Sequence, residues 1–569
     1  MKKNKYIGLA MMAAGMLVAT SCSDFSDYNE APADAVASGN QTLWENIAQN
    51  PQLSDFAALV KKAGFDSELA NSRSYTVWAP LNGTYNPSDF DQLSTEDLLR
   101  QFVMSHVAQY SYNATGNMNE RIHTLNEKSF PFVGNGTYTY DGNTLSQPNL
   151  PSINGVMHLM DGAAEFYPNL YEYLKVGADI DSLRNHFMRY ELTTLDEENS
   201  VKGPMVDGVQ TYIDSVMITS NSQTRSINAR VENEDSSYIF LMPTNKAFMD
   251  MYNRVKSTYN FIETTTVQDV ERYAEASGTE TKKTAAINVN YMTDSLTRRA
   301  IVRNLVYSNN DVYNQWVEGD GVYTDTLRST TRNKFSNPKE LLAQARETVP
   351  MSNGTAYIVD SLAFRSWETY CPEIIAPMTR NLANAFASSL HTVNANDPDC
   401  VVFGPEQNMT SFRYLWIEPS SSMGRPNLFV SLPGVQSTTY KFYCVYLPTG
   451  ALAEEAKPNL LNFSLSYCNA KGALATYNFS AKAGDNNPGT LNASTAFIND
   501  PLKTDTVYLG QFTFPVCYEG LGDYSPNIHI TTPINVYNKT QMATYTRDVR
   551  IWAIILKPVD LDEYEANNQ

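Results

Sequence analysis

The sequence predicts a multidomain protein in which two α+β domains precede an all-β sandwich. Three observations predict it. "NGVMHLMD" at 154–161 is nearly written again as "NGTAYIVD" at 353–360. "YTVWAPLNGTY" at 75–85 has a counterpart in "YIFLMPTNKAF" at 238–248. Beyond residue 371 the apolar residues adopt a period of two between clusters of Gly, Pro, Asn and Ser. The chain of 569 residues, 42% hydrophobic and 18% charged, has the composition of packed cores. Its length allows about three or four domains.

Residues 1–21 place Lys2, Lys3 and Lys5 ahead of an apolar run to Val18. That is a secretion signal, too short to span a bilayer. Ala19, Thr20 and Ser21 before Cys22 resemble a bacterial lipobox, with Ala19 where Leu is usual. The resemblance implies that Cys22 is acylated and leads the mature chain. Residues 22–41 are acidic and poor in large apolar side chains, which makes a flexible tether. Acids directly after such a cysteine resemble the surface-export signal of Bacteroidota lipoproteins. They imply a protein exposed at the cell surface and anchored by lipid to the outer membrane.

The net charge is −19, and removing the signal would leave the remainder more acidic still. Such a surface repels phosphate backbones, so nucleic acid is disfavoured as a partner. The 35 Tyr and 24 Phe suit strands or exposed stacking surfaces.

The first α+β domain is placed at 42–168. Leu43 and Ile47 share one helical face; after Pro51, Phe56, Leu59, Val60 and Ala63 share another. The strand 75–80 ends at Pro80, and Asn82 supports a turn. A helix is expected over 94–110, opened by Ser94 and Asp97 in a capping-box spacing. The second domain, 169–366, repeats the order with insertions. It has a helix over 169–187 carrying Leu170, Tyr171 and Leu183, a strand ending at Pro243, a turn at Asn245 and a helix over 293–308.

These residues resemble the fasciclin domain, which carries one box of the form T-[LVI]-F-A-P-T-N-x-A-F and a later box N-G-[VT]-[IV]-[HY]-x-[IV]-D. Copy one supplies Thr76, Val77, Trp78, Ala79, Pro80 and Asn82, with Leu81 where Thr is usual, then Asn154, Gly155, Val156, His158 and Asp161. Copy two supplies Pro243, Thr244, Asn245, Ala247 and Phe248, then Asn353, Gly354, Tyr357 and Asp360. The family's Tyr-His before its middle strands is matched only by Ser105-His106 and Val306-Tyr307. The resemblance implies adhesion or recognition rather than catalysis.

The β-sandwich is placed at 371–560, on runs at 412–419, 427–433, 440–448, 460–468, 506–518 and 549–558. The last run resembles the closing strand of a galactose-binding type of jelly roll. Tyr414 and Trp416, on one face of the first run, are candidates for stacking on a ligand; the alternative is that they form its core face.

Little else points to chemistry. After Cys22 come Cys371, Cys400, Cys444, Cys468 and Cys517, with no C-x-x-C spacing, so no zinc knuckle is expected. The histidines form no metal-binding pair, and no nucleophile elbow or P-loop is present. No cofactor and no metal is expected. The reading is a non-catalytic surface lipoprotein that binds a glycan, a peptide or a partner protein. In Bacteroidota this layout suggests an accessory part of a SusC/SusD-like nutrient importer, docked on a TonB-dependent transporter and its SusD-like lipoprotein. The alternatives are an adhesin toward host matrix or neighbouring cells, and a hydrolase within the sandwich.

Overall fold

A computed structural model describes residues 39–206, 208–263, 267–269, 283–285, 288–309, 326–343, 345–377, 383–385, 388–394, 413–448, 456–520 and 524–568. The expected signal at 1–21, Cys22, the expected tether to residue 38 and Cys400 lie outside the described residues. The chain divides into two compact units. One runs to Asn169 and includes Asn233–Asp235 and Met351–Asn353; the other holds the remainder.

The first unit is built on a seven-stranded sheet. Two of its interior strands form the parallel pair Tyr75–Pro80 and Gly155–Met160, with Tyr75 opposite Gly155 and Pro80 opposite Met160. Val107–Gln109 lies antiparallel on one side. On the other side follow Asn143–Ser152, Thr137–Tyr140, Ser129–Asn135 and Asn117–His123, an antiparallel meander. The central strand Tyr75–Pro80 is buried throughout, because both faces of the sheet are covered. Val77 and Ala79 face helices Leu43–Gln49, Ser54–Lys62 and Thr95–Gln101, among Leu43, Ile47, Phe56 and Leu98. Trp78 faces the other way, into Phe132, Tyr140 and Ile122, and stacks on Tyr140 with centroids 4.3 Å apart. The first helix opens with a full capping box: Thr42 Oγ1 accepts from Glu45 N, and the Glu45 carboxylate accepts from Thr42 N at 2.8 Å.

The second unit contains a four-stranded sheet in the order Val306–Ser308, Tyr238–Pro243, Gly354–Val359 and Ala345–Met351. Three of its strands repeat the first unit's register. Tyr238 pairs with Gly354, Pro243 with Val359, and Phe240 with Val306 as Val77 pairs with Val107. Helices Leu170–Val176 and Asp181–Met188 stand where Leu43–Gln49 and Ser54–Lys62 stand in the first unit.

Several expectations change. The single helix placed at 169–187 is two, Leu170–Val176 and Asp181–Met188. The helix placed at 94–110 ends at Gln101, and the chain enters strand Val107–Gln109 through the short turn Val103–His106. The helix placed at 293–308 is Val289–Val302, followed by strand Val306–Ser308. In both, pairing with the central strand overrides local helical spacing. The turn expected at Asn245 is instead the start of helix Asn245–Lys256. Thr244 caps it, its Oγ1 accepting from Ala247 N at 3.3 Å. Copy one carries the non-capping Leu81 at that point and keeps the turn. The shared register also sets Tyr307 at the place of Ala108, so it is no counterpart of His106.

The C-terminal part of the second unit holds two antiparallel sheets. One orders Ser388–Asn394, Arg413–Pro419, Val549–Pro558, Thr439–Tyr446 and Asp505–Thr513, and Ile374–Pro377 also pairs with Val549–Pro558. The other orders Ala383–Ala385, Asn427–Ser431, Asn527–Thr531, Leu460–Cys468 and Leu474–Asn478, and Phe497–Ile498 also pairs with Leu460–Cys468. Helix Val559–Asn568 follows, with no buried residue of its own. Among the described residues no helix is long and apolar enough to cross a membrane.

Candidate functional site

The box residues are structural ties. Thr76 Oγ1 donates to Tyr110 O and accepts from Tyr112 N, both at 2.8 Å, while Val77, Ala79 and Pro80 are buried. Asn82 locks the turn to the neighbouring helix. Its Oδ1 accepts from Asp55 N at 3.0 Å and its Nδ2 donates to Pro51 O at 2.9 Å. Asn245 does the same in the second unit, accepting from Ser182 N at 2.7 Å and donating to Asp181 Oδ2 at 2.9 Å. Asn154 holds Leu43 N, Leu69 O and Asn71 O; Asn353 donates to Asn233 O at 3.0 Å. Pro243, Phe248 and Tyr357 are buried. Asp161 and Asp360 are exposed, and Asp360 lies 3.4 Å from Arg346.

His158 sits inside the aromatic face. Its Nε2–H donates to Tyr112 O at 2.9 Å, and its Nδ1 accepts from Asn149 N at 3.2 Å. His106 is equally enclosed, donating from Nδ1 to Phe102 O and accepting Ala164 N at Nε2. Burial pushes both imidazoles down to about 4. A fully bonded neutral ring of this kind is a packing element, not a base. The unfolded chain takes up these protons below a pKa of about 6.5. The stability they contribute is therefore complete above pH 6.5 and lost as pH falls toward 4, by about 3 kcal/mol per histidine. Urea midpoints of the full chain should fall between pH 7 and pH 4.5. His158→Gln, which keeps a donor for Tyr112, should flatten that fall by its share; an identical pH profile would refute the assignment.

Of the two stacking candidates, Tyr414 is enclosed and Trp416 is partly covered. Tyr414 is 3% exposed. Trp416 is half-buried, its Nε1–H donates to Asp548 at 2.9 Å, and the Arg550 guanidinium lies 5.2 Å from its ring. Leu415 and Ile417, on the opposite face of strand Arg413–Pro419, are buried as well.

The open aromatic surface lies elsewhere. A cleft of about 580 Å3 runs between the edge strands of the two sheets, Leu474–Asn478 and Asp505–Thr513. Tyr477 and Tyr508 border it, Phe479, Phe497 and Leu509 form its floor, and Lys482, Asn486 and Gln511 supply polar groups. Tyr508 is 48% exposed. It faces outward because the register slips at Leu509: Phe442 pairs with Gly510, and Tyr443 with Tyr508. That bulge turns Leu509 into the core and Tyr508 out of it. A glycine inside a strand, Gly510, is the sequence signal for such a bulge.

A second cleft, of about 640 Å3, shares Gln511 and extends past Thr438 and Thr439 to Arg254, Tyr370, Asp560 and Glu563. Helix Val559–Asn568 is held beside it. Tyr443 Oη donates to Asp562 at 2.7 Å, Lys557 pairs with Glu565 at 2.7 Å, and Ser366 Oγ donates to Asp560 at 2.8 Å. Cys371, Cys444 and Cys517 are buried free thiols, and Cys468 is half-buried. Burial pushes the Cys371 thiol up to about 11, so it is inert. Among the described residues no group of three His, Cys, Asp or Glu is placed to hold a metal ion.

Residues 51–164 match the fasciclin domain model. The match covers the paired strands Tyr75–Pro80 and Gly155–Met160 of the first unit. No curated protein matches the chain. Among solved structures, the chain is similar to a FAS1 domain pair from the insect cell adhesion molecule fasciclin I, at 12% identity and a TM-score of 0.20, over 57% of this chain and 99% of that one. It is similar to the CBM22-2 xylan-binding domain of Paenibacillus barcinonensis Xyn10C, at 13% identity and a TM-score of 0.20, over 33% of this chain and 98% of that one. The C-terminal family 22 carbohydrate binding module of Clostridium thermocellum Xyn10B gives 11% identity and a TM-score of 0.19, over 33% and 94%. TM-scores this low establish no common fold.

Proposed function

We propose that this is a non-catalytic binding protein of the bacterial cell surface, tethered by an acylated Cys22, whose sandwich holds a carbohydrate chain in the cleft between Tyr477 and Tyr508. The observation that carries the reading is the cleft itself. It opens to solvent, is bordered by two tyrosine rings and is supplied with amide and ammonium groups. Sugars present apolar C–H faces to aromatic rings and hydroxyls to such polar groups, and binding sites combine an apolar wall with a few polar contacts.

The second α+β wedge, within 170–366, is a second fasciclin-type module in this reading. Support comes from its strand register, its Pro243, Asn245 and Gly354, and the asparagine lock to helix Asp181–Met188. The setting of this reading is a SusC/SusD-like importer. Adhesion is the second reading, favoured by the fasciclin match at 51–164.

The test is a glycan array probed with the lipid-free chain, followed by titration of the retained glycans. Tyr508→Ala and Tyr477→Ala should each weaken binding about tenfold or more, near 1.4 kcal/mol. Tyr508→Ala should leave the melting profile unchanged, because its ring is exposed. An array with no retained glycan, or variants that bind like the parent, would overturn the glycan reading. Copurification with a transporter from detergent-solubilised outer membrane tests the importer setting. Loss of attachment in a deletion strain with unchanged nutrient growth would favour the adhesin.

A further inference from the structure

The connection between the second helix and the central strand differs sharply in the two wedges. In the first unit it is residues 63–74; in the second it is 189–237. The added chain forms a β-ribbon. Glu191–Leu195 pairs with Met217–Asn221, and farther out Val201–Val206 pairs with Val209–Asp214. Its root is fixed: Asn221 Nδ2 donates to Phe187 O and to Tyr171 Oη, and Glu191 pairs with Lys175 at 2.7 Å. The first unit builds the same central strands without it, so the wedge does not need the ribbon to close.

The ribbon is far more apolar outside than a solvated hairpin has reason to be. Ile213 is 76% exposed, and Met205 and Val209 are each 67% exposed; Leu192, Val206 and Met217 are exposed as well. The register sets Val206 opposite Val209 on one face and Met205 opposite Gln210 on the other, so the ribbon exposes apolar side chains on both faces, and exposed apolar surface on this scale marks an interaction site. Each two-stranded sheet also has unpaired backbone edges, the template for strand addition.

Charge decides among the occupants. From Glu191 to Asn221 the sequence carries Glu191, Asp196, Glu197, Glu198, Asp207 and Asp214 against the single base Lys202. Anionic lipid is repelled by that set, and its carboxylates resist entry into hydrocarbon. A second copy would bring the same acids onto the same acids, within chains of net charge −19. A protein surface with an apolar groove or free strand edge, rimmed by Lys and Arg, satisfies both features.

We propose that the ribbon 191–221 is a docking arm that adds its apolar strands to such a basic-rimmed protein partner. The proposal stands independently of the sandwich cleft. The test places a photo-crosslinking amino acid at 205, 209 or 213 of the full chain in its native cells and identifies the adducts by mass spectrometry. The expected result is an adduct with one other protein, at a peptide flanked by Lys or Arg. The yield should drop at least tenfold when Val209→Ser and Ile213→Ser are combined with a label at 205, with the melting profile of that variant unchanged. Adducts with a second copy of the chain, with lipid only, with a protein surface lacking Lys and Arg, or with nothing would each overturn it. So would an adduct yield that survives the serine pair.

Discussion

Gly155→Ala is expected to unfold the first unit, and Gly354→Ala to do the same to the second wedge. Both glycines open the strand that runs parallel to the box strand, with φ of +148° and +144°. A Cβ at Gly155 would lie 1.9 Å from Tyr75 O, and one at Gly354 would lie 1.9 Å from Tyr238 O. The obstructing atoms are backbone, and they belong to the central strand of each sheet. Moving them breaks the pairing from Tyr75 to Pro80, or from Tyr238 to Pro243. The positive φ adds strain for any L side chain. The cost is about 4 kcal/mol or more, among the largest that a single substitution produces. Gly142→Ala is the control. Its φ is +77°, but nothing lies within 4 Å of the added carbon, so it should cost about 1 kcal/mol. Urea denaturation of the three variants, followed by tryptophan fluorescence and limited proteolysis, checks the order. Equal midpoints for Gly155→Ala and Gly142→Ala would refute the close-approach argument.

The second large effect is expected at Asn154. It is 5% exposed and its amide makes three hydrogen bonds. Oδ1 accepts from Leu43 N at 2.8 Å, at the first turn of helix Leu43–Gln49; Nδ2 donates to Leu69 O at 2.8 Å and to Asn71 O at 2.5 Å. One side chain thus joins a helix N-terminus, the end of the short helix Asp66–Leu69 and the loop before strand Tyr75–Pro80. Asn154→Ala strands two buried backbone groups, Leu43 N and Leu69 O, and frees the more exposed Asn71 O; it should cost about 3 kcal/mol. Asn154→Asp separates hydrogen bonding from size. It is isosteric, yet a carboxylate cannot donate to Leu69 O and Asn71 O, so at pH 7 it should be no better than alanine. Below the carboxylate's pKa a protonated oxygen can donate once, and part of the stability should return. A variant Asn154→Asp as stable as the parent at pH 7 would mean that the two donated bonds contribute nothing.

The fold was legible in the sequence where its signals are local. Pro80 and Pro243 end their strands, and Asn154-Gly155 and Asn353-Gly354 begin theirs, because those residue types fix backbone geometry wherever they stand. The period-two runs at 427–433, 440–448, 460–468 and 549–558 became strands Asn427–Ser431, Thr439–Tyr446, Leu460–Cys468 and Val549–Pro558. Helix ends were less legible. Gln101 ends its helix because the residues beyond it pair with the central strand, a contact made across distant sequence.

The candidate site was barely legible. Alternation in 412–419 separates two faces, but it does not say which face another sheet or a neighbouring side chain covers; Tyr414 proved to be interior and Trp416 is shielded by Arg550. Tyr508 reads as one more alternating residue until the slip at Leu509 turns it outward. The opposite wall, Tyr477, comes from the other sheet, and no spacing in the chain links the two.

What the sequence determined by itself is the repeated strand-closing device and the β rhythm of the last third, since torsional preference and polarity act over a few residues. What only the tertiary structure decided is which aromatic rings stay open and where the inserted ribbon leaves its wedge. Exposure is a property of what packs on a surface, and that is set by chain segments far apart in sequence.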